Sequence, residues 1–178
     1  MRGLSELQMT MMFETRRADA SDADGIALAH RDSIRSLGAG CYPPSVVDDW
    51  ADGLTADVYI TAMEGGEIFF IAVTTRDDAP AVLGFASDYR REGSQHGTSV
   101  YVRGAAARRG IGSMLFKLAA AEAIARGATS ILVEASLAGV EFYKANGFVE
   151  ISRGETHLRS GRPIECVFME KTLTPAAS

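Results

Sequence analysis

The sequence predicts a mixed α/β fold in which helices lie between blocks of strands. Short apolar segments with strand-like patterning occur near both ends of the chain and in its middle. Two or three helical segments follow the first strand, and an antiparallel meander follows those helices. A later strand–helix–strand unit then implies a parallel pair of strands joined by a right-handed crossover.

The first part of the chain predicts one strand and two helices. Phe13–Arg17 alternates in polarity and indicates a short strand. Ser21 precedes Asp24 by three residues, which is typical of a capping box, and the apolar stripe that follows has helical spacing up to Gly38. After a proline-rich turn, Ser45 is positioned to cap a second helix through Trp50.

The segment Thr55–Gly66 carries opposing indications. Its β-branched and aromatic run at 58–60 favours a strand by propensity. Thr55 is nevertheless a possible helix cap, and the glycine pair at its end is a possible helix stop. We favour a helix here.

The remaining elements form a hairpin, a long helix, a short helix and a second hairpin. Turn residues at 76–80 join the strands of the first hairpin. The predicted strands are Phe69–Thr75, Val82–Ser87, Thr98–Val102, Ile131–Glu134, Phe148–Ser152 and Cys166–Lys171, and the helices are Gly110–Arg126 and Val140–Ala145.

Length and composition indicate one globular domain. The chain has 178 residues, of which 47% are hydrophobic and 23% charged. We see no internal repeat and no linker, so we expect residues 13–173 to form a single domain. Residues 1–12 then form a flexible leader and residues 174–178 a tail.

Charge and residue usage exclude several classes of protein. The formal net charge of −5 argues against nucleic-acid binding and is compatible with a cationic amine as substrate. No segment approaches the roughly 18 apolar residues that a membrane span needs. Cys41 and Cys166 form no CxxC pair, and the three histidines lack metal-ligand spacing. We therefore expect a cytoplasmic protein that binds no membrane and no metal.

The loop at 103–113 is the most informative stretch of the sequence. A strand runs into a segment in which Gly110 and Gly112 open the long helix. Glycine lets a ligand approach the main chain, and the first N–H groups of a helix attract anions. Arg108 and Arg109 add cations that suit phosphate oxygens. The loop is neither a P-loop nor a GxGxxG dinucleotide loop, and two glycines before a helix also serve ordinary tight turns.

Together with other segments, this loop resembles the GCN5-related N-acetyltransferase (GNAT) family. The matching features are Val100-Tyr101-Val102, Arg109-Gly110-Ile111-Gly112, the Phe142-Tyr143 pair with the following Gly147-Phe148, the start Arg16–Asp24 and the last strand Pro163–Lys171. The resemblance extends over about Phe13 to Leu173. It implies a central, mostly antiparallel sheet with flanking helices and a splayed parallel strand pair, formed by Val100–Val102 and Ile131–Glu134.

The resemblance also implies a reaction and a set of site residues. The co-substrate is acetyl-CoA, whose pantetheine arm would lie along Val100, Tyr101 and Val102. Its pyrophosphate would bind the backbone loop made of Arg108, Arg109, Gly110, Ile111, Gly112 and Ser113. Tyr143 would donate a proton to the departing thiolate. The acceptor would be a primary amine on a small molecule or peptide, and a homodimer is left open.

Several positions depart from the family pattern. Ala107 replaces the usual Gln or Arg of the loop, and Ser99 replaces an acidic residue that often precedes the strand. The second change leaves the general base unassigned; His96, His157 and Glu134 are weak candidates. Two alternatives remain open: a non-catalytic, sensory acyl-CoA-binding domain, and transfer of a different acyl group or transfer to a hydroxyl. Tyr42 and Trp50 either line an acceptor pocket or simply pack in the core.

Overall fold

The structure is a computed structural model that describes residues 13–74 and 81–174. The predicted leader and the hairpin turn at 76–80 lie outside these residues. The helices are α1 (Ala23–Leu37), α2 (Pro44–Ala51), α3 (Ala56–Glu64), α4 (Ile111–Ala125) and α5 (Val140–Ala145). The strands are β1 (Phe13–Arg17), β2 (Ile68–Thr74), β3 (Val82–Arg90), β4 (Gln95–Gly97), β5 (Val100–Val102), β6 (Ser130–Ser136), β7 (Val149–His157) and β8 (Pro163–Thr172).

The described strands form one mixed sheet with the order β1-β2-β3-β4-β6-β8-β7, and β5 also pairs with β3. Every pairing is antiparallel except that of β4 with β6. This arrangement confirms the predicted fold class. Helices α1 and α3 cover one face of the first half of the sheet, and α4 packs against β2 and β3 on the other face.

The parallel pair is not the one we expected. We predicted that Val100–Val102 would neighbour the strand at 131–134, but the hydrogen-bonded partner of β6 is β4, a separate strand at Gln95–Gly97. Pairing of β4 with β6 ends at Gly97↔Leu132, and β5 pairs only with β3. The strand predicted at Thr98–Val102 therefore corresponds to β5. It is the second part of an interrupted strand and turns away from β6.

Two helix starts also differ from the sequence expectation. Asp19, not Ser21, caps the 3-10 turn that leads into α1. Its carboxylate accepts from the Ser21 N–H at 2.8 Å, and the Asp22 carboxylate accepts from the Asp19 N–H at 3.0 Å. Helix α2 begins at Pro44, so Ser45 lies inside its first turn and is no cap. Proline suits this position because its missing N–H would have no helical partner. The helix that we favoured between Thr55 and Gly66 is confirmed as α3.

The glycine at the end of β4 is required by its neighbour on β3. Gly97 pairs with Tyr89, and a Cβ atom at position 97 would lie 2.2 Å from Cζ of the Tyr89 ring. The tyrosine ring therefore lies flat across the backbone of β4. No other residue type fits at position 97 while this ring keeps its place.

We predict that Gly97→Ala lowers the free energy of unfolding by about 1–3 kcal/mol, the usual cost of overpacking a filled site. Urea denaturation measures this change. Gly40→Ala is the matched control, because a Cβ at position 40 meets nothing within 4 Å. Equal stability of the two variants would show that the Tyr89 ring moves aside without cost.

Candidate active site

The site lies where β5 and β6 diverge. Among the described residues, β6 has no strand partner beyond Leu132 on the side that faces β5. In turn, β5 has none there on the side that faces β6. The main-chain groups along this gap are therefore available to a ligand that enters as an added strand would. A cavity of about 740 Å³ occupies the region, and all three residues of β5 line it.

The loop after β5 leads to the start of α4 at the mouth of this gap. Asp32 of α1 fixes the loop by accepting from the Gly104 N–H at 2.8 Å. Arg108 and Gly110 have left-handed backbones, with φ of 61° and 79°, which turn the chain sharply into the helix. Left-handed backbone is unusual for an arginine, and its side chain is exposed.

The backbone donors of this turn have no acceptor in the described residues. The first helical hydrogen bond runs from the Met114 N–H to the Gly110 carbonyl at 3.0 Å. None of the N–H groups from 108 to 113 has a hydrogen-bond partner within the described part of the chain. These six N–H donors lie at the positive end of a 15-residue helix, an arrangement that suits a polyphosphate.

The predicted loop residues do not all face the cavity. Arg108, Gly110, Gly112 and Ser113 line it. Ile111 is 1% exposed and packs in the core under the loop, so its side chain does not face the cavity. Arg109 is exposed and is absent from the cavity lining.

Helix α5 is tied to the first turn of α4 through Asn146, a residue for which sequence reasoning predicted no role. Its amide nitrogen donates to Ser113 Oγ at 3.1 Å and to the Phe142 carbonyl at 2.9 Å. The Phe142 ring closes over Gly112, where a Cβ would lie 3.0 Å from its Cε2. These contacts hold the turn at 108–113 and α5 in a fixed arrangement.

Tyr143 lies on α5 next to this turn and lines the same cavity. It is 7% exposed and packs edge-on against Phe142 and Phe148. Burial raises the pKa of its phenol well above the ordinary value, and the nearby Val100 main chain acts in the opposite direction. The hydroxyl therefore stays protonated at any physiological pH, as a proton donor requires.

Tyr42 bridges two strands beneath the cavity. Its hydroxyl accepts from the Leu137 N–H at 2.8 Å and donates to the Glu165 carbonyl at 2.7 Å. Only 8% of the residue is exposed. Tyr42 thus lines the cavity and at the same time fixes the end of β6 to β8.

The four remaining candidate residues are distributed as follows. His96 is buried and bonded to Asp88 at 2.6 Å, on the other face of the sheet from Tyr89, and does not line the cavity. His157 and Glu134 line it, and Glu134 accepts from Thr156 at 2.7 Å. Trp50 also lines the cavity and packs edge-on against Tyr42. In the described residues, no three His, Cys, Asp or Glu side chains are grouped as a metal site.

The family model for the acetyltransferase (GNAT) domain matches residues 42–173. The chain therefore belongs to the GNAT acetyltransferase family, which makes it an acetyl-CoA-dependent N-acetyltransferase. Comparison with curated protein sequences finds no match. No helix in the described residues is both long and apolar enough to cross a membrane.

Solved structures show the same fold. A GCN5-related N-acetyltransferase from Rhodopseudomonas palustris is 28% identical with a TM-score of 0.75, over 93% of this chain and 99% of that one. PaiA N-acetyltransferase from Thermoplasma acidophilum is 17% identical with a TM-score of 0.70, over 92% and 100% of the chains. A phosphinothricin acetyltransferase from Sinorhizobium meliloti is 22% identical with a TM-score of 0.64, over 94% and 93%.

We predict that Tyr42→Phe lowers the free energy of unfolding by about 1–3 kcal/mol, because two backbone groups lose their partner. Chemical denaturation measures the change. A loss below about 0.5 kcal/mol would mean that water replaces the hydroxyl and that Tyr42 contributes through its ring alone.

Proposed function

We propose that this enzyme transfers the acetyl group of acetyl-CoA to a primary amine, with the coenzyme seated in the gap between β5 and β6. The single observation that carries the proposal is the unpaired main chain of that gap, continuous with the unpaired N–H groups of the turn at 108–113. The relatives support it, since the PaiA structure holds coenzyme A and the phosphinothricin acetyltransferase structure holds acetyl-CoA.

Each part of the coenzyme meets a different group of residues. The pantetheine arm lies along Val100, Tyr101 and Val102 and bonds the main-chain groups of Val100 and Val102, since those of Tyr101 face its β3 partner Phe85. The N–H groups of the 108–113 turn bind the pyrophosphate, with Arg108 as the nearer of the two arginines because it lines the cavity. The open space around Gly110, where a Cβ would meet nothing within 4 Å, leaves room for the phosphates.

The chain supplies positioning and proton transfer. The thioester is the reactive group that acetyl-CoA brings. A main-chain N–H near Val102 stabilises the charge that develops on the carbonyl oxygen. Tyr143 returns a proton to the departing sulfur, and its neutral, buried phenol supports this role. Holding amine and thioester in one cleft lowers the barrier further.

The domain bounds, the acceptor class and the cellular compartment of the enzyme stay predictions. Residues 13–173 form the acetyltransferase domain, and the acceptor is an amine on a small molecule or a peptide. Cys41 and Cys166 are free thiols, which supports a reducing cytoplasm. The sensory alternative predicts coenzyme binding without release of thiol in the presence of any amine.

Acetyl-CoA at about 100 times its dissociation constant should stabilise the protein by about 2.7 kcal/mol and raise the melting temperature by several degrees. We expect Gly112→Asp to weaken binding at least about tenfold more than Gly112→Asn, because only the aspartate places negative charge beside the phosphates. The two side chains have the same size, and the Cβ of either would lie 3.0 Å from Cε2 of Phe142. Isothermal titration calorimetry measures the two affinities. Equal affinities would place the pyrophosphate elsewhere.

We expect Tyr143→Phe to lower kcat about 100-fold or more, the usual contribution of a general acid, with little change in acetyl-CoA affinity. Because burial raises the pKa of the Tyr143 phenol, the wild type should show no loss of activity from its ionisation below about pH 10. Single-turnover thiol release measures the chemical step. An unchanged single-turnover rate would remove Tyr143 from the mechanism.

A further inference from the structure

The cavity does not end at the coenzyme gap but continues onto the face of the sheet covered by α1, α2 and α3. On this face its walls are mostly aromatic. We call this part the aromatic chamber, and define it by Trp50, Tyr59, Glu67, Tyr89 and Tyr101.

The walls of the chamber are fixed by packing. Tyr101 pairs with Phe85 across β5 and β3, and their ring centroids are 5.6 Å apart. The His30 ring lies 3.7 Å from that of Tyr101, and its Nδ1 is hydrogen-bonded to the Tyr59 hydroxyl at 2.8 Å. Trp50 meets Tyr101 edge-on at 6.3 Å. A rigid aromatic enclosure of this kind binds an apolar group and also attracts a cation.

Tyr89 connects the chamber to the coenzyme gap. Its ring lies across Gly97, the last residue of β4 before the chain turns away from β6. Glu67 immediately precedes β2, and the register Ile68↔Asp88 places it beside Tyr89. The carboxylate therefore lies on the chamber side of the sheet, next to the point where the strands part.

Glu67 is the carboxylate of the chamber with no ion pair in the described residues. The ionisable groups around it are Tyr59 from α3, Asp88 and Tyr89 from β3, and Arg126 after α4. Arg126 is held by Asp88 at 2.6 Å and by the Gly66 carbonyl at 3.0 Å. Desolvation raises the pKa of the Glu67 carboxyl, and repulsion from the Asp88 charge raises this pKa further. The Ser87 hydroxyl acts in the opposite direction.

Three other titratable groups of the cavity are already paired or are weak bases. Glu134 already contacts Arg91 at 3.4 Å and accepts from Thr156. Burial lowers the pKa of His30 to about 3, so its imidazole is a very weak base. Glu141 pairs with Lys144 at 3.1 Å on the exposed side of α5.

We infer that the acceptor is a primary amine with an apolar, aromatic-sized body that enters the aromatic chamber, and that Glu67 is the general base that takes up its proton. This inference rests on the proposed function and adds the acceptor side of it. It requires that the ammonium group binds beside Tyr89 at the end of β4. The Glu67 carboxylate and the faces of the aromatic rings attract it there.

The proton balance is as follows. The ammonium gives one proton to the Glu67 carboxylate and becomes a neutral amine. Its nitrogen then forms a bond to the thioester carbon, and the carbon–sulfur bond breaks. The second proton of the nitrogen is lost as the amide forms and passes through water to Tyr143, where it replaces the proton that the phenol gives to the thiolate. Glu67 releases its proton to water, so the net products are the amide, the thiol and one proton.

The test uses two acceptors of similar size, 2-phenylethylamine, which is an ammonium at neutral pH, and O-benzylhydroxylamine, which is uncharged there. We expect Glu67→Gln to lower kcat/KM for 2-phenylethylamine about 100-fold or more. The loss for O-benzylhydroxylamine should be at least about tenfold smaller, because no proton has to be removed before attack. With 2-phenylethylamine, the variant should also lose the rise of kcat/KM with pH that deprotonation of Glu67 gives the wild type.

The controls separate this inference from the proposed function. Glu64→Gln makes the same change at an exposed site three residues earlier and should keep wild-type rates. Glu67→Asp keeps the negative charge and should show activity between that of the wild type and that of Glu67→Gln. This variant also tests the role of Glu67 in case Glu67→Gln folds poorly. An equal loss for both acceptors, or no loss, would overturn the role of Glu67. Failure to acetylate 2-phenylethylamine while acetyl-CoA still raises the melting temperature would overturn the chamber as acceptor site. Absence of that thermal shift would instead contradict the proposed function.

Discussion

The divergence of β5 from β6 is the constraint on which the site depends. A sheet normally satisfies its main-chain groups by pairing, and a strand that leaves its neighbour exposes donors and acceptors. Here the break falls between Gly97 and Val100, so the same polypeptide pairs with β6 first and then only with β3. In the function that we propose, a coenzyme with its own amide groups replaces those pairs.

The binding sites that we propose for the coenzyme and for the acceptor lie on opposite sides of this gap. The turn at 108–113 and α5 form the coenzyme side, with Asn146 holding Ser113 at 3.1 Å. The chamber around Tyr101 forms the acceptor side that we propose. Helix α4 contributes to both, since its first turn presents unpaired N–H groups and Arg126 at its end contacts the backbone just before Glu67.

The sequence predicted the helices because local patterns determine them: apolar periodicity, caps and glycine spacing act over a few residues. That the turn at 108–113 binds phosphate stays a prediction. It missed β4, since three residues from Gln95 to Gly97 carry no periodic signal and become a strand only through pairing with β3 and β6. Glu67 was missed for the same reason. Its desolvation depends on packing between α3 and β3, and nothing in its neighbours along the chain indicates it.

The Tyr89–Gly97 contact couples two positions that are eight residues apart. With Cβ only 2.2 Å from the ring carbon, any side chain at 97 requires a smaller residue at 89. Among relatives that keep this sheet geometry, we therefore expect the pair to change together: a bulky residue at 97 should accompany loss of the aromatic at 89. A chain with that exchange would have a wider opening beneath the split strands and would admit larger acceptors.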